Sequence, residues 1–101
     1  MKECCRKYLM EQFGDEDVSN EIYAEYVASV GAKLGEANAA ADAGDWTQLD
    51  RVMHTIKGNA LASGDVEMAD LAIECRKLVP FRDMDGCRAV IARIQDLAKT
   101  L

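Results

Sequence analysis

Between about Ser19 and Ala43 the apolar residues Ile22, Tyr26, Val30, Leu34, Ala37 and Ala41 recur every three or four positions. That spacing gathers them on one face of a helix, which would run nearly 40 Å at about 1.5 Å per residue. A helix of this length has a single apolar stripe and nothing of its own to cover it, so the rest of the chain must supply the cover. The same period returns three times. Trp46, Leu49, Val52, Met53, Ile56 and Ala60 form one stripe; Met68, Leu71, Ala72, Cys75, Leu78 and Val79 form the next; Cys87, Val90, Ile91, Ile94, Leu97 and Leu101 form the last. The breaks "AGD", "ASGD" and "FRDMDG" separate them, and Pro80, the only proline, stops the third. Asp45 is placed to cap the second helix, with Gln48 positioned for a capping box. A weaker fifth pattern, "KECCRKYLMEQF", marks a short helix over about 2–13, ahead of the acidic break "GDED". No period-2 strand signal and no internal repeat is present. Short connections make neighbours antiparallel. The chain is therefore expected to be all-α, one domain over 1–101. Residues 1–18 form an N-terminal extension with a short extra helix, and 19–101 form an up-down four-helix bundle.

Composition narrows the class. At 101 residues, half of them apolar, the chain can bury one modest core and is neither a disordered tail nor a loop-rich secreted fold. Its formal charge of -6 repels phosphodiester backbones, which argues against nucleic acid. The four cysteines, at 4, 5, 75 and 87, contain no C-x-x-C, and with one histidine they offer neither a zinc site nor a disulfide framework. Cys75 and Cys87 fall on apolar faces and read as small buried hydrophobes in a reducing compartment. No signal peptide and no stretch of membrane-spanning length is visible. A cytoplasmic monomer, or the cytosolic part of something larger, is expected.

The sole histidine, His54, lies off its helix's stripe. At about 100° per residue it falls roughly 130° from the centre of the apolar face, towards solvent. Gly58 stands one turn further along the same strip, although glycine costs roughly 1 kcal/mol relative to alanine inside a helix. Lys57 sits nearer the boundary, within reach of the imidazole. Asp50, one turn before, is placed to accept from the other ring nitrogen and hold its tautomer. A neutral imidazole is a competent nucleophile at physiological pH. Attack on a phosphoryl group needs room for three charged oxygens beside the ring, which Gly58 leaves open, and a cation to balance charge, which Lys57 supplies. The alternative is an inert surface histidine, since no serine, cysteine or second histidine suggests a triad. No glycine-rich loop is present to bind a nucleotide.

At these residues the sequence resembles the histidine-containing phosphotransfer (HPt) domains of multistep two-component signalling. The signature is His, Lys three later, Gly four later, a small residue and a second Gly ten after the His; here His54, Lys57, Gly58, Asn59 and Gly64 hold those places. The likeness runs from about Phe13 to the C-terminus. It implies a four-helix bundle whose exposed histidine takes a phosphoryl group from a receiver-domain aspartate and returns it to another. His54 would then be the acceptor, Lys57 its support and Gly58 the guardian of access. No cofactor is implied for this chain, because Mg²⁺ belongs to the receiver. Response-regulator receiver domains are the implied partners, with a hybrid sensor histidine kinase as a further candidate. The sequence departs from the family at Met53, Leu61 and Ser63, where alanine, a small residue and a larger apolar residue respectively are more usual. Met53 lies on the core stripe. Leu61, two turns after His54 and roughly 110° from the core stripe at about 100° per residue, either packs on the next helix or joins Asp50 and Arg51 in a receiver-docking surface. Two other readings share the bundle: a binding-only adaptor for receivers, and a histidine-bearing module phosphorylated by a separate kinase ATP domain.

Overall fold

The computed structural model describes residues 1–101 and contains five α-helices and no strand. They are α1 (Glu3–Phe13), α2 (Glu16–Ala43), α3 (Trp46–Ala62), α4 (Val66–Leu78) and α5 (Met84–Ala98). A 3₁₀ turn, Val79–Phe81, carries Pro80 directly after α4. Helices α2, α3, α4 and α5 close a ring: α3 touches α2 and α4, and α5 touches α4 and α2. The molecule measures 43 × 20 × 19 Å, and the 28 residues of α2 run its full length.

Every joint between α-helices is built the same way. A residue in the left-handed region closes one helix, and the aspartate after it opens the next. The pairs are Gly14–Asp15, Gly44–Asp45, Gly64–Asp65 and Arg82–Asp83. In each the carboxylate accepts the backbone N–H three residues on, from Val18, Gln48, Met68 and Gly86 respectively. This satisfies one of the orphan donors that any helix start exposes. The fourth joint lacks glycine, and the guanidinium of Arg82 instead lies over the Trp46 ring, 5.4 Å from its centroid. At Asp45 the cap forms as the sequence predicts.

The predicted stripes are the core. Leu49, Val52, Met53, Ile56 and Ala60 of α3 are buried, as are Met68, Leu71, Ala72 and Cys75 of α4 and Cys87, Val90, Ile91 and Ile94 of α5. Trp46, Ile22, Leu78, Leu97 and Leu101 pack at the margin. Two corrections concern α2. It begins at Glu16, three residues before the expected start, because Asp15 caps it; and its buried face also takes in Tyr23 and Ala40.

Helix α1 covers the end of the bundle where α2 and α4 begin, burying Cys5 and Leu9 in the common core. Beneath it lies a charged cluster. The side chain of Asp65 is wholly buried; it accepts from Lys2 Nζ at 2.7 Å and from the Tyr26 hydroxyl at 2.7 Å while capping α4. Burial and the Asp65 carboxylate push the Tyr26 hydroxyl well above its ordinary range. Burial would lower the Lys2 ammonium, but Asp65 and Glu67 outweigh it and hold it above 10.5. Tyr23 accepts from the backbone N–H of Lys2 and donates to the carbonyl of Leu101, so both chain ends meet at this cluster. Gly64 has φ 76°, and a Cβ there would stand 2.4 Å from Cβ of Tyr8. Only glycine gives both the turn and the room for α1.

Candidate functional site

His54 lies on the exposed face of α3, as the projection places it. The residues beneath it on the helix, Val52, Met53 and Ile56, fill the core, so the ring is carried on a rigid base. Around it Asp50, Arg51, Thr55 and Arg76 line a shallow depression. A neighbouring depression on the α4 side is lined by Asp50, Lys57, Ile73, Arg76, Lys77 and Pro80. Arg51, Lys57, Arg76 and Lys77 thus bring four cations to one face of a chain whose net charge is -6. Of the four only Arg76 forms a salt bridge, and Lys57 is half-buried.

The ring's partner differs from the one expected. Asp50 does not meet the imidazole; its Oδ1 accepts from Arg76 Nε at 3.1 Å. Nη1 of the same guanidinium lies 3.1 Å from His54 Nδ1. Asp50 and His54 are one turn apart on α3, and the long side chain of Arg76 reaches across from α4 to fill the space between them. Sequence reasoning missed Arg76 because a helix projection shows only the residues of its own helix. The one available signal was a basic residue in the last turn of α4, a common placement for reasons of helix dipole alone.

A Cβ at Gly58 would meet nothing within 4 Å, and the residue is exposed. No packing inside this chain calls for glycine there. Gly31 and Gly35 on α2 are equally open, so what distinguishes Gly58 is its place one turn beyond the imidazole. Asn59 turns away from the ring and donates to the Ser29 hydroxyl at 2.8 Å, pinning α3 to α2. Gly64, the last signature residue, serves the packing of α1 rather than the histidine. Leu61 is 48 % exposed and does not pack on the next helix. Arg51 is exposed beside the ring.

The thiols take no part. Cys75, adjacent to Arg76, is pushed up to about 12 by burial and by the neighbouring Cys87, and remains a protonated apolar group. No three His, Cys, Asp or Glu side chains converge anywhere in the chain to hold a metal ion. No helix is long and apolar enough to cross a membrane.

An exposed imidazole on a rigid helix, flanked by cations and beside an open strip, is suited to carrying a charged group between partners. Comparison with known families agrees. The sequence model of the Hpt domain matches residues 21–101, and the chain belongs to that family. Its role is histidine phosphotransfer in a phosphorelay, in which Hpt domains interact with receiver domains. No curated protein and no solved structure matches the chain.

Proposed function

We propose that His54 accepts a phosphoryl group from the aspartyl phosphate of a receiver domain and passes it to the aspartate of another. The observation that carries this reading is the chain's only imidazole standing exposed among Arg51, Lys57 and Arg76, on a surface otherwise dominated by acids. Nε2 forms the N–P bond as the acyl P–O bond breaks and the receiver's carboxylate leaves. Arg51 and Lys57 beside the ring draw the phosphoryl oxygens in and balance their charge. Lys57 supplies a mobile ammonium, and the open strip at Gly58 admits the receiver. Leu61, Asp50 and Arg51 form the rim that the receiver meets, with Leu61 as its apolar anchor. Mg²⁺ is held by the receiver. Residues 1–101 act as one unit, because α1 shares the bundle's core.

The test is transfer from a panel of phosphorylated receivers. His54→Gln is expected to keep its helical circular dichroism and take no label. Label on the native protein should be lost in acid and kept in base, as a phosphoramidate is. Equal labelling of His54→Gln would overturn the assignment, and receiver binding without any transfer would favour an adaptor.

A further inference from the structure

We infer that Arg76 is a positioning residue that holds His54 in the form suited to storing a phosphoryl group rather than to accepting one. The inference rests on the phosphotransfer reading above and deepens it.

A guanidinium has only donors and keeps its proton throughout the physiological range. Across the 3.1 Å between Arg76 Nη1 and His54 Nδ1 the arginine must donate, so Nδ1 must accept. A neutral imidazole has one N–H and one in-plane lone pair. With the lone pair committed at Nδ1, the proton sits on Nε2, which has no partner within the chain. Asp50 anchors Arg76 in this pose through Nε at 3.1 Å, so the guanidinium is held at both ends. In this tautomer Nε2 has no lone pair with which to attack phosphorus.

Acceptance therefore requires Arg76 to release the ring. The Nε2 proton passes to water, and Nδ1 takes a proton from water. Asp50, freed from Arg76 and one turn away, is then able to accept from the Nδ1–H. Now Nε2 carries the lone pair. It bonds to phosphorus while the acyl P–O bond breaks, and the electron pair leaves on the receiver's carboxylate. The ring sheds its Nδ1 proton to water, and the product is a neutral phosphoimidazole with its lone pair back on Nδ1. That is the arrangement for which the Arg76 donor is already placed. Breaking the N–P bond is easiest when Nδ1 is protonated, because imidazole then departs neutral instead of as an anion. An arginine on Nδ1 opposes that protonation by charge and by occupying the lone pair. Arg76 thus slows both uptake and loss, and the carrier holds its cargo longer.

The experiment compares native protein, Arg76→Met and Arg76→Glu by two readouts. The first is the ¹⁵N spectrum of His54 in the unphosphorylated protein, which reports where the ring proton sits and needs no receiver. Native protein should show the proton on Nε2. Arg76→Glu, which places an acceptor where a donor stood, should move it to Nδ1. The second is the lifetime of phosphohistidine formed with phosphoramidate, a small-molecule donor. Arg76→Met should shorten it about fivefold, the scale of one charged hydrogen bond at a solvent-exposed site, and should speed labelling. A native ring protonated on Nδ1, an unchanged tautomer in Arg76→Glu, or equal lifetimes in native protein and Arg76→Met would each overturn the role given to Arg76. Failure of His54 to take label from phosphoramidate and from receivers alike would overturn the phosphotransfer assignment instead, while the spectrum would still judge the tautomer.

Discussion

Two charged clusters in this molecule are made of similar parts and behave in opposite ways. At the end covered by α1, a carboxylate, an ammonium and a phenol meet as Asp65, Lys2 and Tyr26; on the face of α3, a carboxylate, a guanidinium and an imidazole meet as Asp50, Arg76 and His54. The first has no exposed carboxylate surface and bonds of 2.7 Å. The second has side chains 32 % and 40 % exposed in its ion pair and bonds of 3.1 Å. Where water is excluded, losing the Asp65 carboxylate strands the buried Tyr26 hydroxyl, so the cluster locks three segments of chain together. Where water is admitted, each group has a solvent alternative, and the contacts can break and re-form at small cost. A carrier needs both: a closed end that keeps the helices in register, and an open face whose histidine is free to change partners.

The contrast is sharpest in stability. Asp65→Ala leaves the buried Tyr26 hydroxyl without its acceptor, leaves Lys2 only the exposed Glu67, and removes the cap of α4. Its expected cost is on the order of 3 kcal/mol, and Tm should fall by more than roughly 10 °C in a domain of this size. A melt within a few degrees of native would show that water reaches Asp65. Gly64→Ala should come next. It combines a left-handed backbone with the approach of Tyr8, for about 2 kcal/mol. A chain lacking α1 should tolerate that substitution better, since only the backbone strain would then remain.

Alkaline pH probes the closed end and the core without mutation. Burial pushes the Cys5 and Cys75 thiols from 9.0 to about 12 and lifts the Tyr26 hydroxyl still further. Each group binds its proton more tightly folded than unfolded. Its contribution is therefore complete below the unfolded value and is lost as pH rises towards the folded one. Tm should hold steady up to about pH 8 to 9 and then decline through pH 11, by several degrees. A flat profile over that range would mean these groups are solvated. The smallest changes in stability belong to the open face. Arg76→Met should shift stability by less than about 1 kcal/mol, the scale of an exposed ion pair. Leu61→Arg should melt near the native temperature while weakening receiver binding. An early melt with normal receiver binding would remove Leu61 from the interface.

The helices themselves were legible in the sequence because each is a local matter. The apolar period along Leu49, Val52, Met53 and Ile56 placed α3 and, by exclusion, set His54 outward. Pro80 marked the stop after α4, and Asp45 the start of α3. The early start of α2 was missed because "GDED" looks like a break, when Asp15 is both the end of that break and a cap. The role of Gly64 was hidden in a different way: its place in the signature was plain, but the reason for it is Tyr8, far off in the chain and outside the matched region.

What the sequence by itself determined is the set of helices, the face each buries, the exposure of the one histidine and the family to which residues 21–101 belong. These follow from 3.6-residue periodicity and short-range capping, which depend on near neighbours alone. Only the tertiary structure decided which groups from different helices touch. That Arg76 rather than Asp50 meets the imidazole, and that Asp65 gathers Lys2 and Tyr26 beneath α1, depends on the rotation and axial offset of whole helices against one another. Those offsets are set by the packing of the entire core at once, and no local pattern in the chain encodes them.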